Sequence, residues 1–410
     1  MSTMNRRRFC ERILSAGAFC ALPGALSAAS LAMPQSSSPV YDLLIREGTV
    51  IDPSQNLNGR MDVAIAGGKI AEVAANIPPS QAREVVSAAG KIVCPGLIDI
   101  HAHVYADVTT QGLAPDTYYL PRGVTTVVDA GSAGYTTVAG LRKYIAAVSR
   151  TRVYALVDIG TLGLVAGIRN AMKNLDYVRP VETAEAVRAN KPVTVGVKVR
   201  LTEAVAGTED MEILRRTHQA AEGGGVPMMV HVGDTHSPLK DILGLMRPGD
   251  VMTHYLHPDH HGVLDANGKL LPEILDARQR GVLFDVGHGT SHFSFRVAEQ
   301  CMAQGFPPDS ISSDATTGTL NGPVFDTLTT LSKFLAIGMP LPEVLRAATA
   351  GPARTFAYGV QIGTFRKGSE ADVSILEVRD GSYSFIDSRK ETRSNKQKLF
   401  PDRAFRSGKM

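Results

Sequence analysis

The sequence predicts an α/β chain: a (β/α)8 barrel carrying a small β-sandwich domain built from both ends of the mature polypeptide. Three observations predict it. Eight short β-branched runs alternate with amphipathic helix-like stretches, which is the pattern of a parallel sheet with crossover helices. Ligand-capable side chains stand at the C-terminal ends of five of those runs, where a barrel of this kind places its chemistry. Alternating strands with Gly/Asp turns flank the barrel on both sides.

In chain order, residues 1–32 come first. They combine a basic start, Arg6-Arg7-Arg8-Phe9, with an apolar stretch too short and too rich in Gly, Ala and Pro for a stable membrane span, and small residues at 29–32. This reads as a removable export signal of the twin-arginine type and predicts a periplasmic mature protein. Cys20 follows Phe19 rather than a small residue, so no lipid anchor is expected. Loss of Arg6, Arg7, Arg8, Arg12 and Glu11 with this segment cancels the formal charge of +3. No basic field is left for nucleic acid. The expected partner is a small-molecule substrate, and a second copy of the chain is the one macromolecular partner left open. With 410 residues, 44% hydrophobic and 20% charged, the chain has enough apolar content for one large core and a satellite. Cys94 abuts a strand and Cys301 lies in a helix-like segment, so two separate buried thiols are expected rather than a disulfide.

Residues 40–93 and 359–410 supply the alternating strands of the sandwich, including "KGSEADVSILEV", and the basic tail is read as an exposed end strand. Between them, residues 94–358 contain the eight barrel strands: 96–103, 123–131, 151–160, 193–200, 227–234, 250–256, 281–289 and 310–316. The first ends in "DIHAH", where alternation places His101 and His103 on one face, with Asp99 behind them. The fourth ends near Lys198, the fifth at His231, the sixth at His254 and the eighth at Asp314. Each alone has an ordinary structural role: a hydrogen-bonded interior histidine, a snorkelling lysine, a carboxylate capping a helix. Six of them converging on one barrel mouth point to a metal centre.

With these residues in place the chain resembles the amidohydrolase superfamily, through "PGLIDIHAH", the lysine of the fourth strand, single histidines after the fifth and sixth, the aspartate after the eighth and the terminal "KGSEADVSILE". "GVTTVVDAG", "VMTHYL", "GVLFDVGHG" and "NGPVFD" resemble its dihydroorotase-like branch of amidohydrolases and deacetylases. The resemblance implies two divalent metal ions, usually zinc, with manganese or cobalt also suited to the ligand set. His101, His103 and Asp314 would hold one and His231 and His254 the other, with Lys198, carboxylated by CO2, bridging both. A desolvated, electropositive pocket favours the neutral amine that can add CO2. It implies hydrolysis of an amide or ester by a hydroxide held between the metals, with Asp314 as proton shuttle. Deacylation of an N-acyl amino acid or O-acyl hydroxy acid is the expected reaction.

Around this centre Arg200, on the strand face of Lys198, could bind a substrate carboxylate or make a structural ion pair, and His288 could steer substrate. His257, His260 and His261 read as a loop at the mouth. Tyr105 stands where dihydroorotases usually carry an arginine that grips a carboxylate, which makes dihydroorotate a poor candidate while keeping Tyr105 as a substrate-contact candidate. Three alternatives remain: hydrolysis of a cyclic amide, a non-catalytic metal-binding homologue, and a mononuclear deaminase. The last is suggested by "HVGD", in which Asp234 takes the place of a glutamate.

Overall fold

The computed structural model describes residues 39–167 and 172–410. The signal-like segment 1–32 lies outside the described residues, as does part of the loop after the third barrel strand.

Five strands open the described chain: β1 (Tyr41–Asp52), β2 (Leu57–Ala66), β3 (Lys69–Ala74), β4 (Ala82–Ser87) and β5 (Ile92–Pro95). The barrel follows with β6 (Leu97–Ala102), β7 (Val124–Gly134), β8 (Arg152–Asp158), β9 (Thr194–Arg200), β10 (Met228–His231), β11 (Val251–Thr253) and β12 (Leu283–Asp285). Two long strands, β13 (Val373–Ile386) and β14 (Thr392–Phe405), end the chain.

Both chain ends build the satellite, in the order β14-β13-β5-β1-β2-β3 with β4 also paired to β1. The strands form one continuous sheet: β4 pairs β1 along residues 41–46 and β5 pairs it at 49–50. The sheet encloses its own apolar core, including Leu43, Ile45, Val63, Ile65, Phe365, Val373 and Phe405. β13 and β14 are 14 residues each, longer than that core requires. The tail is therefore more than the exposed end strand expected from the sequence. Leu399 N donates to Ser332 Oγ at 3.0 Å on a barrel helix, and Arg389 at the hairpin tip lines the cleft at the barrel mouth.

In the barrel, β6 to β12 lie side by side in sequence order, each parallel to its neighbour. The eighth run, 310–316, makes isolated parallel bridges instead of a regular ladder, Asp285 with Ser310 on one side and Ala102 with Ala315 on the other. These close the ring. The irregularity has a cause in Asp314, a non-glycine residue at φ 49° whose N–H donates to His101 O at 2.8 Å. The helix Asp210–Gly224 typifies the outer layer: Ile213, Leu214, Thr217, Ala220 and Ala221 are buried at i, i+4 spacing and Gly225 ends it at φ 63°. Cys94 and Cys301 are free and buried, as expected. Among the described residues no helix is long and apolar enough to cross a membrane.

Candidate metal centre

His101 in β6 and His103, one residue past its end and still following its alternation, point into the barrel mouth, where Asp314 meets them from the closing eighth strand. His103 Nε2 lies 3.1 Å and His101 Nε2 3.6 Å from Asp314 Oδ1. The three ligand atoms lie within 4.8 Å of one another. Beside them, His254 Nε2 faces His231 Nδ1 at 3.0 Å. Lys198, near the end of β9, lies against the first group and lines the same cleft as His231: it is fully buried, with Nζ 3.2 Å from His101 Nε2. All six candidates from the sequence therefore meet.

The rings are aimed by partners on their far sides, the arrangement that fixes which nitrogen is free to ligate. His101 Nδ1 bonds Thr253 Oγ1 at 2.8 Å, and that hydroxyl donates to Asp285 Oδ2 at 2.7 Å. His103 Nδ1 bonds Ser132 Oγ at 3.0 Å, and His254 Nδ1 donates to Gly287 O at 2.5 Å. Asp99 turns its carboxylate to the barrel wall, accepting from Ser313 N at 3.1 Å and Thr327 Oγ1 at 2.8 Å. It fastens the closing strand to β6 and so fixes Asp314 against His101.

Burial, reinforced by neighbouring positive groups, holds His101, His231 and His254 well below the usual imidazole range, which leaves them neutral and able to ligate. Burial likewise pulls the Lys198 amine down to about 8. His254 adopts φ 71° and Asp314 φ 49°, left-handed conformations that cost non-glycine residues free energy and that cluster where function requires them. His231 Nε2 is buried with no hydrogen-bond partner. Neutral imidazoles, one carboxylate and a lysine amine form a donor set that fits divalent cations.

A cleft of about 520 Å³ opens over these groups. Arg200 lines it, buried, with Nε 3.6 Å from Asp158 Oδ2 and with Nε and Nη2 lacking any hydrogen-bond partner. Two expectations fail. His288 is fully buried away from the cleft, bonded through Nε2 to Lys333 Nζ at 2.6 Å and stacked on Phe293, so it cannot steer substrate. Tyr105 folds back under the barrel rim, its hydroxyl donating to Thr137 O at 3.1 Å, and does not line the cleft. His260 and His261 both bond Thr235 O, in the mouth loop foreseen for them.

Among the cleft residues that the sequence reading passed over, two carry chemistry that bears on the site. His292 sits in the loop after β12, where strand alternation gives no signal, and one nitrogen of its ring lies within 4.8 Å of ligand atoms of His231 and His254. Arg389 reaches the cleft from the tip of the β13–β14 hairpin and ion-pairs with Asp259.

The amidohydrolase family profile matches residues 92–409. The chain belongs to the amidohydrolase family. It is accordingly a metal-dependent hydrolase. It is 34% identical over 374 residues to a deacetylase of Enterococcus faecalis, covering 90% of this chain and 99% of that one. A deacetylase of Agrobacterium fabrum is 33% identical over 347 residues, with 83% and 84% covered. Among solved structures, one described as an adenine deaminase superposes with a TM-score of 0.84 at 33% identity, over 90% of this chain and 99% of that one. One described as a dihydroorotase superposes with a TM-score of 0.80 at 29% identity, over 90% and 96%.

Proposed function

We propose that this amidohydrolase removes the acyl group from a small carboxylate-bearing substrate, an N-acyl amino acid or an O-acyl hydroxy acid, at a two-metal centre. The observation that carries the reading is the meeting of His101, His103 and Asp314 with His231 and His254 beside Lys198, beneath a cleft lined by Arg200, whose guanidinium ion-pairs with Asp158 but keeps Nη2 without a hydrogen-bond partner. The two deacetylase relatives, matched over most of their length, support the acyl transfer.

His101, His103 and Asp314 would hold one divalent cation, zinc by the donor set, and His231 and His254 the other. Lys198 would bridge the two. Its neutral amine can attack CO2, forming a nitrogen–carbon bond and losing one proton to leave a carbamate anion. When bound, the cations polarise the scissile carbonyl and make water acidic enough to attack near neutral pH. Asp314 Oδ1, within 3.1 Å of His103 and open to the cleft, accepts the proton of the attacking water and returns it to the leaving nitrogen or oxygen. Arg200, oriented by the Asp158 carboxylate beside its Nε, holds the substrate carboxylate through Nη2, satisfying a donor whose burial without a partner costs about 1–3 kcal/mol.

A deaminase reading is favoured by the structure described as an adenine deaminase. Against it, Asp234 projects at the rim with 56% of its side chain exposed and pairs with His260, so it does not reach the ligand cluster. Assaying acetate release from N-acetyl amino acids and O-acetyl hydroxy acids, beside ammonia release from adenine, separates the two. Acetate release that disappears when the carboxylate is replaced by a carboxamide is the expected result. Ammonia release alone would overturn it. The same reading makes residues 1–32 a twin-arginine signal and the mature enzyme periplasmic, supported by Arg6-Arg7-Arg8-Phe9 and the short apolar stretch after it. Replacing Arg6 and Arg7 with lysine should then retain the precursor in the cytoplasm, and unaltered export would contradict it.

A further inference from the structure

We propose that His292 is a third imidazole ligand on the His231–His254 side of the centre, so that the loop after β12 contributes directly to holding the second cation. The inference rests on the two-metal reading above and extends it to a residue outside the six strand-end candidates. Its ring centroid lies 4.7 Å from that of His231 and 4.1 Å from that of His254, and each of the three rings offers a nitrogen within 4.8 Å of the others. His292 Nδ1 is buried without a hydrogen-bond partner, as is His231 Nε2. Buried polar atoms left unpaired are costly and uncommon, and a cation between the rings gives such nitrogens a partner.

The local backbone is built around the ring. A Cβ at Gly289 would stand 3.1 Å from His292 Nδ1, tighter than an ordinary contact, and one at Gly233 would just touch its Cδ2 at 3.4 Å. Both glycines have positive φ, 52° and 119°, so the ring packs between two stretches of backbone that favour glycine. The loop is also pinned. Ser294 N donates to Leu256 O at 3.0 Å, Ser388 N to Phe293 O at 3.0 Å, and Phe295 N to Asp387 Oδ2 at 2.9 Å. The β13–β14 hairpin thereby holds His292 in place, which gives its unexpected length a purpose at the barrel mouth.

The test is titration of the metal-free protein with Co(II), reading stoichiometry, the affinity of each step and the visible absorption of the bound ion, in wild type, His292→Ala and His292→Gln. The glutamine variant keeps the volume between the two glycines should the alanine variant fold poorly. The expected result is one step unchanged and the other weakened beyond the about 10–100-fold that loss of an outer-shell partner costs, with an altered absorption band for that ion. Two steps of unchanged affinity and unchanged spectra would overturn the assignment. A wild type that binds a single ion, lost with His292, would keep His292 as a ligand while overturning the two-metal reading. A single ion bound equally in all three proteins would overturn both.

Discussion

Gly289→Ala perturbs the centre without removing any ligand. Gly289 follows the end of β12 at φ 52°, and a Cβ there would stand 2.3 Å from Asp314 Oδ2. An ordinary contact begins near 3.4 Å, so the carboxylate must retreat by about 1 Å, a displacement that costs roughly 100-fold in rate when it falls on a reacting group. The left-handed backbone adds about 1–2 kcal/mol of instability for alanine. Gly305→Ala isolates that second cost: Gly305 has φ 71° with nothing within 4 Å of its missing Cβ, and it lies outside the cleft. The assay is kcat and KM on an acyl substrate, with thermal unfolding of both variants. Both should melt earlier by similar amounts, while only Gly289→Ala loses about two orders of magnitude in kcat. A folded Gly289→Ala enzyme as active as Gly305→Ala would refute the placement of Asp314 in proton transfer.

Asp314→Asn should keep the shape of the site and lower kcat by about 100-fold or more, since an amide cannot carry the proton; near-normal turnover would remove it from the mechanism. Arg200→Met should raise KM for carboxylate-bearing substrates by about 10–100-fold, the loss of a charge-assisted bond of about 1.5–3 kcal/mol, and leave a neutral analogue unaffected; equal effects on both would make Arg200 structural. Lys333 lies fully buried against His288, and burial lowers its amine to about 7. Between about pH 7 and the unfolded value near 10.4 the unfolded chain binds the extra proton, so this group makes stability rise with pH over that window. Denaturant unfolding at several pH values should show a shallower rise in Lys333→Met, and an unchanged slope would mean that the amine keeps its proton when folded.

The six strand-end residues were legible because barrel geometry converts sequence position into place: alternation sets the face, and the C-terminal end of each strand sets the mouth. The same rule misjudged His288, since the residue at the end of a strand can turn behind it as readily as into the cleft. Lys333, on the helix Thr327–Ala336, supplies the buried partner that decides the matter, and nothing near position 288 announces it. Tyr105 lies two residues beyond His103, but the chain has left β6 by then and alternation no longer applies. His292 and Arg389 sit in loops, where neither periodicity nor spacing encodes direction. Both satellite ends were readable from their alternating strands, while the reach of the β13–β14 hairpin depends on contacts far apart in sequence, such as Leu399 with Ser332, 67 residues away. The eighth strand was placed correctly in sequence, though the left-handed turn at Asp314 breaks its ladder.

The central claim is a pair of cations joined through Lys198. Elemental analysis of metal per chain in the purified protein, with Lys198→Ala prepared alongside, tests it most directly. The account predicts about two divalent ions in the wild type and a clear loss in the variant. About one ion in both proteins would contradict it.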